Sequence, residues 1–140
     1  MHIWLPYLEV GSGADVFTDR LARSLSGIGA TVVLTPFHKR WQYAPWRLAA
    51  HARPSGIDAI IASSNVAFAF TGRGAPVISI EHHCVLDPAY RPHRSKAQAV
   101  YHEIFVRRFE SRSLQTADAT VAVSQYTADS LHAALGGPRP

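Results

Sequence analysis

"HIWLPYLEVGSGADVFTDRLARSLSGIGATVVLTP", residues 2–36, decides the fold. It opens with an apolar run, "HIWLP" (2–6), and closes with a β-branched one, "ATVVLTP" (30–36), each ending at a proline. Such near-continuous apolar runs read as strands buried on both faces of a parallel sheet. Between them Phe17, Leu21, Leu25 and Ile28 recur at helical spacing. Ser12 followed by Asp15 predicts a capping box, and Gly27 with Gly29 stops the helix. The stretch is therefore one β-α-β unit.

Working outward, "DAIIAS" (58–63), "PVISIEH" (76–82) and "DATVAVS" (118–124) repeat the apolar pattern. The segment 96–116 predicts a long helix with Tyr101, Phe105 and Phe109 on one stripe and Arg107, Arg108 and Arg112 on the other side. Ser124 stands where it would cap a last helix carrying Tyr126 and Leu131 before "GGPRP". Strands alternating with helices predict an α/β fold. The expected architecture is a Rossmann-like, doubly wound parallel sheet flanked by helices, with right-handed crossovers.

With 140 residues, 47% of them hydrophobic and 17% charged, the chain has the size and composition of a single globular domain rather than a disordered segment. No apolar run approaches a membrane span, and the N-terminus lacks the basic and apolar regions of a signal peptide, so a soluble cytoplasmic chain is expected. The single cysteine, Cys84, excludes an internal disulfide and fits a reducing compartment. Lysine and arginine outnumber the carboxylates 14 to 10, and no carboxylate falls between Arg20 and Ile57.

In open α/β sheets ligands bind beyond the carboxyl ends of the strands, which directs attention to Gly11, Ser12 and Gly13. A dinucleotide fingerprint would need a third glycine at Val16, and the second strand ends in Thr35-Pro36 rather than in a ribose-binding acid. The lysine and hydroxyl residue of an NTPase phosphate loop are missing too. Two readings stay open: a helix N-terminus facing an anion or a hydroxyl across a glycine-permitted gap, or glycines that only make a tight turn.

Read together, "PYLEVGSGADVFTDRLARSLSGIGATVVLTP", "PVISIEHH" and "YHEIFVRRFESRSLQTADATVAVSQYTADSL" resemble the N-terminal domain of family 4 retaining glycosyltransferases. The resemblance implies the N-terminal half of a GT-B architecture, residues 1–140 forming the acceptor-side domain and the C-terminal donor-binding domain being absent. The family's E-x7-E motif belongs to that second domain. Glu103 and Glu110 have its spacing but lie in the long helix among arginines, so they read as a solvated face. The implied activity is transfer of a sugar from a nucleotide-sugar to a glycan or lipid-linked acceptor, with retention, in a longer or split enzyme. The 140-residue chain alone is expected to be inactive. By the same resemblance His82 is the active-site histidine, with Gly11, Ser12, Gly13, His83 and Ser124 on the substrates. Ser12 stands where many members have a second adjacent glycine. For Ser124 a plain N-cap is the competing role, and for His82 the competing residue is His83.

The eight histidines suggest no metal site, because only His82, His83 and Cys84 cluster and successive strand residues point to opposite faces. No cofactor is expected beyond the donor substrate. "HKRWQYAPWRLAAHAR" (38–53) interleaves cations and rings, with Lys39, Arg40, Trp41, Trp46 and Arg47 at its centre. It suits peripheral contact with the inner membrane face or an acceptor diphosphate, or else is a surface loop whose tryptophans pack on the sheet. Nucleic acid is not expected at a net charge of +4. The alternative to an enzyme domain is a non-catalytic Rossmann-like module that binds an anionic ligand or a partner protein.

Overall fold

The computed structural model of the chain describes residues 1–136. Five parallel strands form one sheet in the order β2-β1-β3-β4-β5. They are β1 (His2–Glu9), β2 (Thr31–His38), β3 (Ala59–Ser63), β4 (Val77–Glu81) and β5 (Ala119–Ala122). The first crossover is helix α1 (Gly13–Gly27), and the third strand is followed by a short 3-10 turn, Ala67–Ala69. Beyond β4 come α2 (Lys96–Tyr101), one π-helical turn (His102–Val106) and α3 (Arg107–Thr116), which run on as one rod. Helix α4 (Gln125–Leu135) follows β5, and of "GGPRP" all but Gly136 lies outside the described residues.

Only the step from β1 to β2 travels one way across the sheet; every later step travels the other way. Right-handed crossovers then require α1 on one face and the later connections on the opposite face. Packing follows that rule. On one face Trp4, Ile60, Ala62 and Val77 join Phe37, Leu48, Val66 and Phe70 in the main core. On the other, Ile3 and Leu5 lie under Ala22, Leu21 and Leu25 of α1. Trp4 is fully buried, its indole N–H donates to Thr35 Oγ1 at 2.8 Å, and its ring meets Phe70 edge-on at 5.2 Å. Away from α1 the second face is thinly covered, and Val121 beside Ile80 is 48% exposed.

Both prolines expected to end strands lie inside them instead. The β1 backbone amides at even positions point toward β3, as the His2–Asp58 bonds show, yet β1 pairs with β3 only at Ile3 and Trp4. Pro6 has no N–H to carry that pairing past Trp4, and β1 runs on beside β2 alone. Pro36 instead points its missing donor off the β2 edge, which is where a sheet tolerates proline. The aspartates that open the two "DA" strands act as strand clamps. Asp58 accepts the His2 N–H at 2.7 Å and Asp118 accepts the Val77 N–H at 2.8 Å.

The expected capping box is modified. Ser12 Oγ accepts the Ala14 N–H at 3.3 Å, but Asp15 reaches past Ser12 to take the N–H groups of Gly11 at 2.7 Å and Val10 at 3.2 Å. This holds Gly11 at φ +73°, a left-handed conformation, whereas Gly13 needs no such freedom and has no protein atom within 4 Å of where a Cβ would stand. Gly11→Ala should cost about 1 kcal/mol in urea unfolding, the penalty for an L-residue in that region. Gly13→Ala should leave stability nearly unchanged under the same measurement, because nothing in the fold excludes its methyl group.

Candidate functional site

A cleft of about 630 Å³ crosses the carboxyl edge of the sheet. One wall is the N-terminus of α1 (Ser12, Gly13, Ala14 and Phe17) and the opposite wall is the α2–π–α3 rod (Tyr101, His102, Val106 and Glu110). The ends of β3 and β4 supply the floor through Ser63, Ser64, Glu81, His82 and His83. Gln42, from the basic-aromatic segment, closes one end, where its carbonyl accepts the Tyr101 hydroxyl at 2.8 Å.

Strand β4 ends at Glu81, so His82 is the first residue past it rather than its last. Its ring packs edge-on against Phe17 at 4.4 Å, on the α1 side. Burial, and then the neighbouring His83, hold its pKa below the ordinary imidazole value, which favours a neutral ring able to donate through one nitrogen and accept through the other. His83 is exposed, contacts Tyr90 at 6.0 Å and also lines the cleft. Both histidines therefore face the same space. Glu81 leaves the strand on the opposite face from His82, as alternation requires, yet the cleft wraps over the strand end and takes in both.

Of the glycine loop, Ser12 and Gly13 line the cleft, while Gly11 makes the turn behind them. Ser124 is not among the lining residues. Its Oγ accepts the Thr127 N–H at 3.1 Å and lies 3.0 Å from the Thr127 hydroxyl, the geometry of an N-cap. Lys39, Arg40 and Trp41 fall in a 3-10 turn, Lys39–Tyr43, and Trp46 and Arg47 in a second, Pro45–Ala50. Trp41 packs on the core beneath the Arg40 guanidinium, whereas Trp46 is half exposed over Phe109 at 6.1 Å. The segment is thus part anchor and part open surface.

The expectation that Glu103 and Glu110 share a solvated face fails for Glu110. Glu103 pairs with Arg107 at 2.8 Å at the surface, but Glu110 is 4% exposed on the cleft wall. The cause is the π turn. In a regular α-helix each four-residue step overshoots a full turn by about 40°, and a wider turn falls short of one, so the two drifts offset each other. His102, Val106 and Glu110 stay in line on the cleft wall. Helical spacing of rings and arginines carries no sign of an extra residue in a turn. The available signal was Glu110 next to Phe109, at the centre of the apolar stripe.

Glu81 and Glu110 are both buried at the cleft, and among the described residues one carboxyl oxygen of each has no partner. Desolvation pushes Glu81 up to about 7, against the Ser64 hydroxyl and the His83 N–H, which favour the charged form. Desolvation and the charge of Glu81 raise Glu110 well above the usual range, opposed by Arg107. Burial also raises the Cys84 thiol to about 11, which favours the thiol over the thiolate. Among the described residues no group of three or more His, Cys, Asp or Glu side chains could hold a metal ion, and no helix is long and apolar enough to cross a membrane.

The profile of Glycosyltransferase Family 4 matches residues 11–140, and the chain belongs to that family. No curated protein and no solved structure matches it.

A carboxyl with a raised pKa in the folded state binds its proton more tightly there than in the unfolded chain. Its stabilising contribution is present below 4.5 and is lost as pH rises toward about 7. The lowered values of His82 and His102 act oppositely, costing stability in acid. Comparing Glu110→Gln with the parent at each pH cancels the histidine contribution. In urea unfolding the variant should gain on the parent as pH rises above the ordinary carboxyl range.

Proposed function

We propose that the chain is the acceptor-side domain of a retaining glycosyltransferase, whose donor nucleotide-sugar is held by a second domain or subunit across the cleft. The observation that carries this reading is the cleft itself. It lies beyond the carboxyl ends of β1, β3 and β4, with the α1 N-terminus and a neutral histidine on the same space. The positive end of α1 suits the phosphates of a donor that reaches over Gly13, which has no side chain to obstruct the approach. His82 can give a ring N–H to a hydroxyl of the transferred sugar while its backbone carbonyl faces the reacting centre. No metal is required by this arrangement.

The acceptor is a glycan or a lipid-linked sugar. Gln42 joins the end of the cleft to the exposed rings of Tyr43 and Trp46 and to Lys39, Arg40 and Arg47, so an acceptor anchored at the cytoplasmic membrane face would enter beside the lipid surface.

The 140-residue chain should unfold cooperatively and show no sugar transfer; turnover by the pure chain would overturn the two-domain reading. In the complete enzyme His82→Ala should lower turnover about tenfold or more with the fold intact, the cost of a positioned polar contact in the transition state. Full activity in His82→Ala with loss in His83→Ala would transfer the role to His83, and full activity in both would remove the site. Binding to anionic vesicles should weaken with salt and on replacing Lys39, Arg40 and Arg47 by Gln. Equal partitioning to neutral and anionic vesicles would remove the membrane contact.

A further inference from the structure

Two buried acids line the cleft, and among the described residues neither has a cation bonded to it. Glu81 and Glu110 are 3% and 4% exposed, line the cleft, and each keeps an unpartnered carboxyl oxygen. They come from different elements, Glu81 from the end of β4 and Glu110 from α3, and the charge of the first acts on the second. Arg107, whose charge acts on Glu110, gives its donors elsewhere: Nε and Nη2 to Glu103 at 3.0 and 2.8 Å, and Nη1 to the Ala134 carbonyl at 2.7 Å. The remaining groups around the pair are the Ser64 hydroxyl after β3, His83 and the Cys84 thiol after β4, and His102 on the π turn with an unpartnered Nδ1. None of these supplies a fixed positive charge.

We propose that Glu81 and Glu110 form a recognition site for a primary ammonium group, so that the cleft takes an amine-bearing ligand such as an amino sugar. An ammonium is a compact charge with N–H donors only, which matches carboxyl oxygens that lack donors. A neutral hydroxyl would fill the space without offsetting the charge, and a metal ion would need more ligands than the pair provides. In the free protein burial favours a proton on the carboxyls. Binding exchanges that proton for the ammonium. No covalent bond forms, and the proton leaves to solvent.

The inference rests on reading the cleft as a sugar site, so the experiment separates the two. The 140-residue chain is titrated at pH 7 with glucosamine, N-acetylglucosamine, glucose and methylammonium. The readouts are backbone amide shifts across 81–83 and 102–110 and the side-chain carboxyl carbons of Glu81 and Glu110. Glucosamine should bind about tenfold more tightly than glucose, the difference one charge-assisted contact makes. It should also lower the titration midpoint of the carboxyl pair. Glu81→Gln and Glu110→Gln, each a same-shape change, should abolish the preference while neutral sugars still bind. Equal binding of glucosamine and N-acetylglucosamine would overturn the ammonium site and leave the sugar reading standing. Carboxylate-dependent binding of methylammonium without any sugar would do the reverse. No response to any of the four would overturn both.

Discussion

The handedness of the crossovers governs this domain. A right-twisted strand feeding a right-handed connection can return to the sheet on one side only, so a change in the direction of travel is also a change of face. β1 is where the direction changes. Helix α1 therefore leaves one way and the α2–π–α3 rod lies on the other side, and the space between them at the strand ends has two walls of independent origin. The cleft exists before any side chain is chosen to line it. What the sequence adds is the lining: a helix N-terminus without bulk at Gly13, a half-buried histidine, and two acids.

Most of that frame was legible from the chain. Unbroken apolar runs separated by helical periodicity can form little except a parallel sheet covered by helices, and all five strands lie where those runs do. Strand ends were less legible, because proline was read as a stop. Whether proline ends a strand depends on which side the missing N–H would face, a property of the neighbouring strand rather than of the residue. His82 was traceable to the strand edge for the same reason that its exact register was not: one residue of strand length moves it from the ladder to the loop. Glu110 was hidden by a departure from helical geometry that composition and periodicity do not encode.

Two acids side by side in a small domain run against stability. Each could be replaced by an amide or an apolar group of similar shape with less desolvation. Ser113 accepts the Phe68 N–H at 3.0 Å, and Trp4 finds Thr35. Among the described residues, buried polar atoms without a partner occur on Glu81, His102 and Glu110 at the cleft and on Arg53, Arg73, Ser79 and Arg94 outside it. What sets the two carboxyls apart is that both are acids and both line the same cleft.

The π turn also gives the rod an evolutionary hinge. A wide turn contains one residue more than the regular helix would need, so losing a single codon within 102–106 restores an ordinary α-helix without breaking the reading frame or the rod. The faces of the rod beyond would stay as they are, because the wide turn absorbs its extra residue locally, and only the residues of the turn itself would change place. A lineage could in this way alter what one turn presents to the cleft in a single genetic event while keeping the strands, the crossovers and the opposite wall as they were.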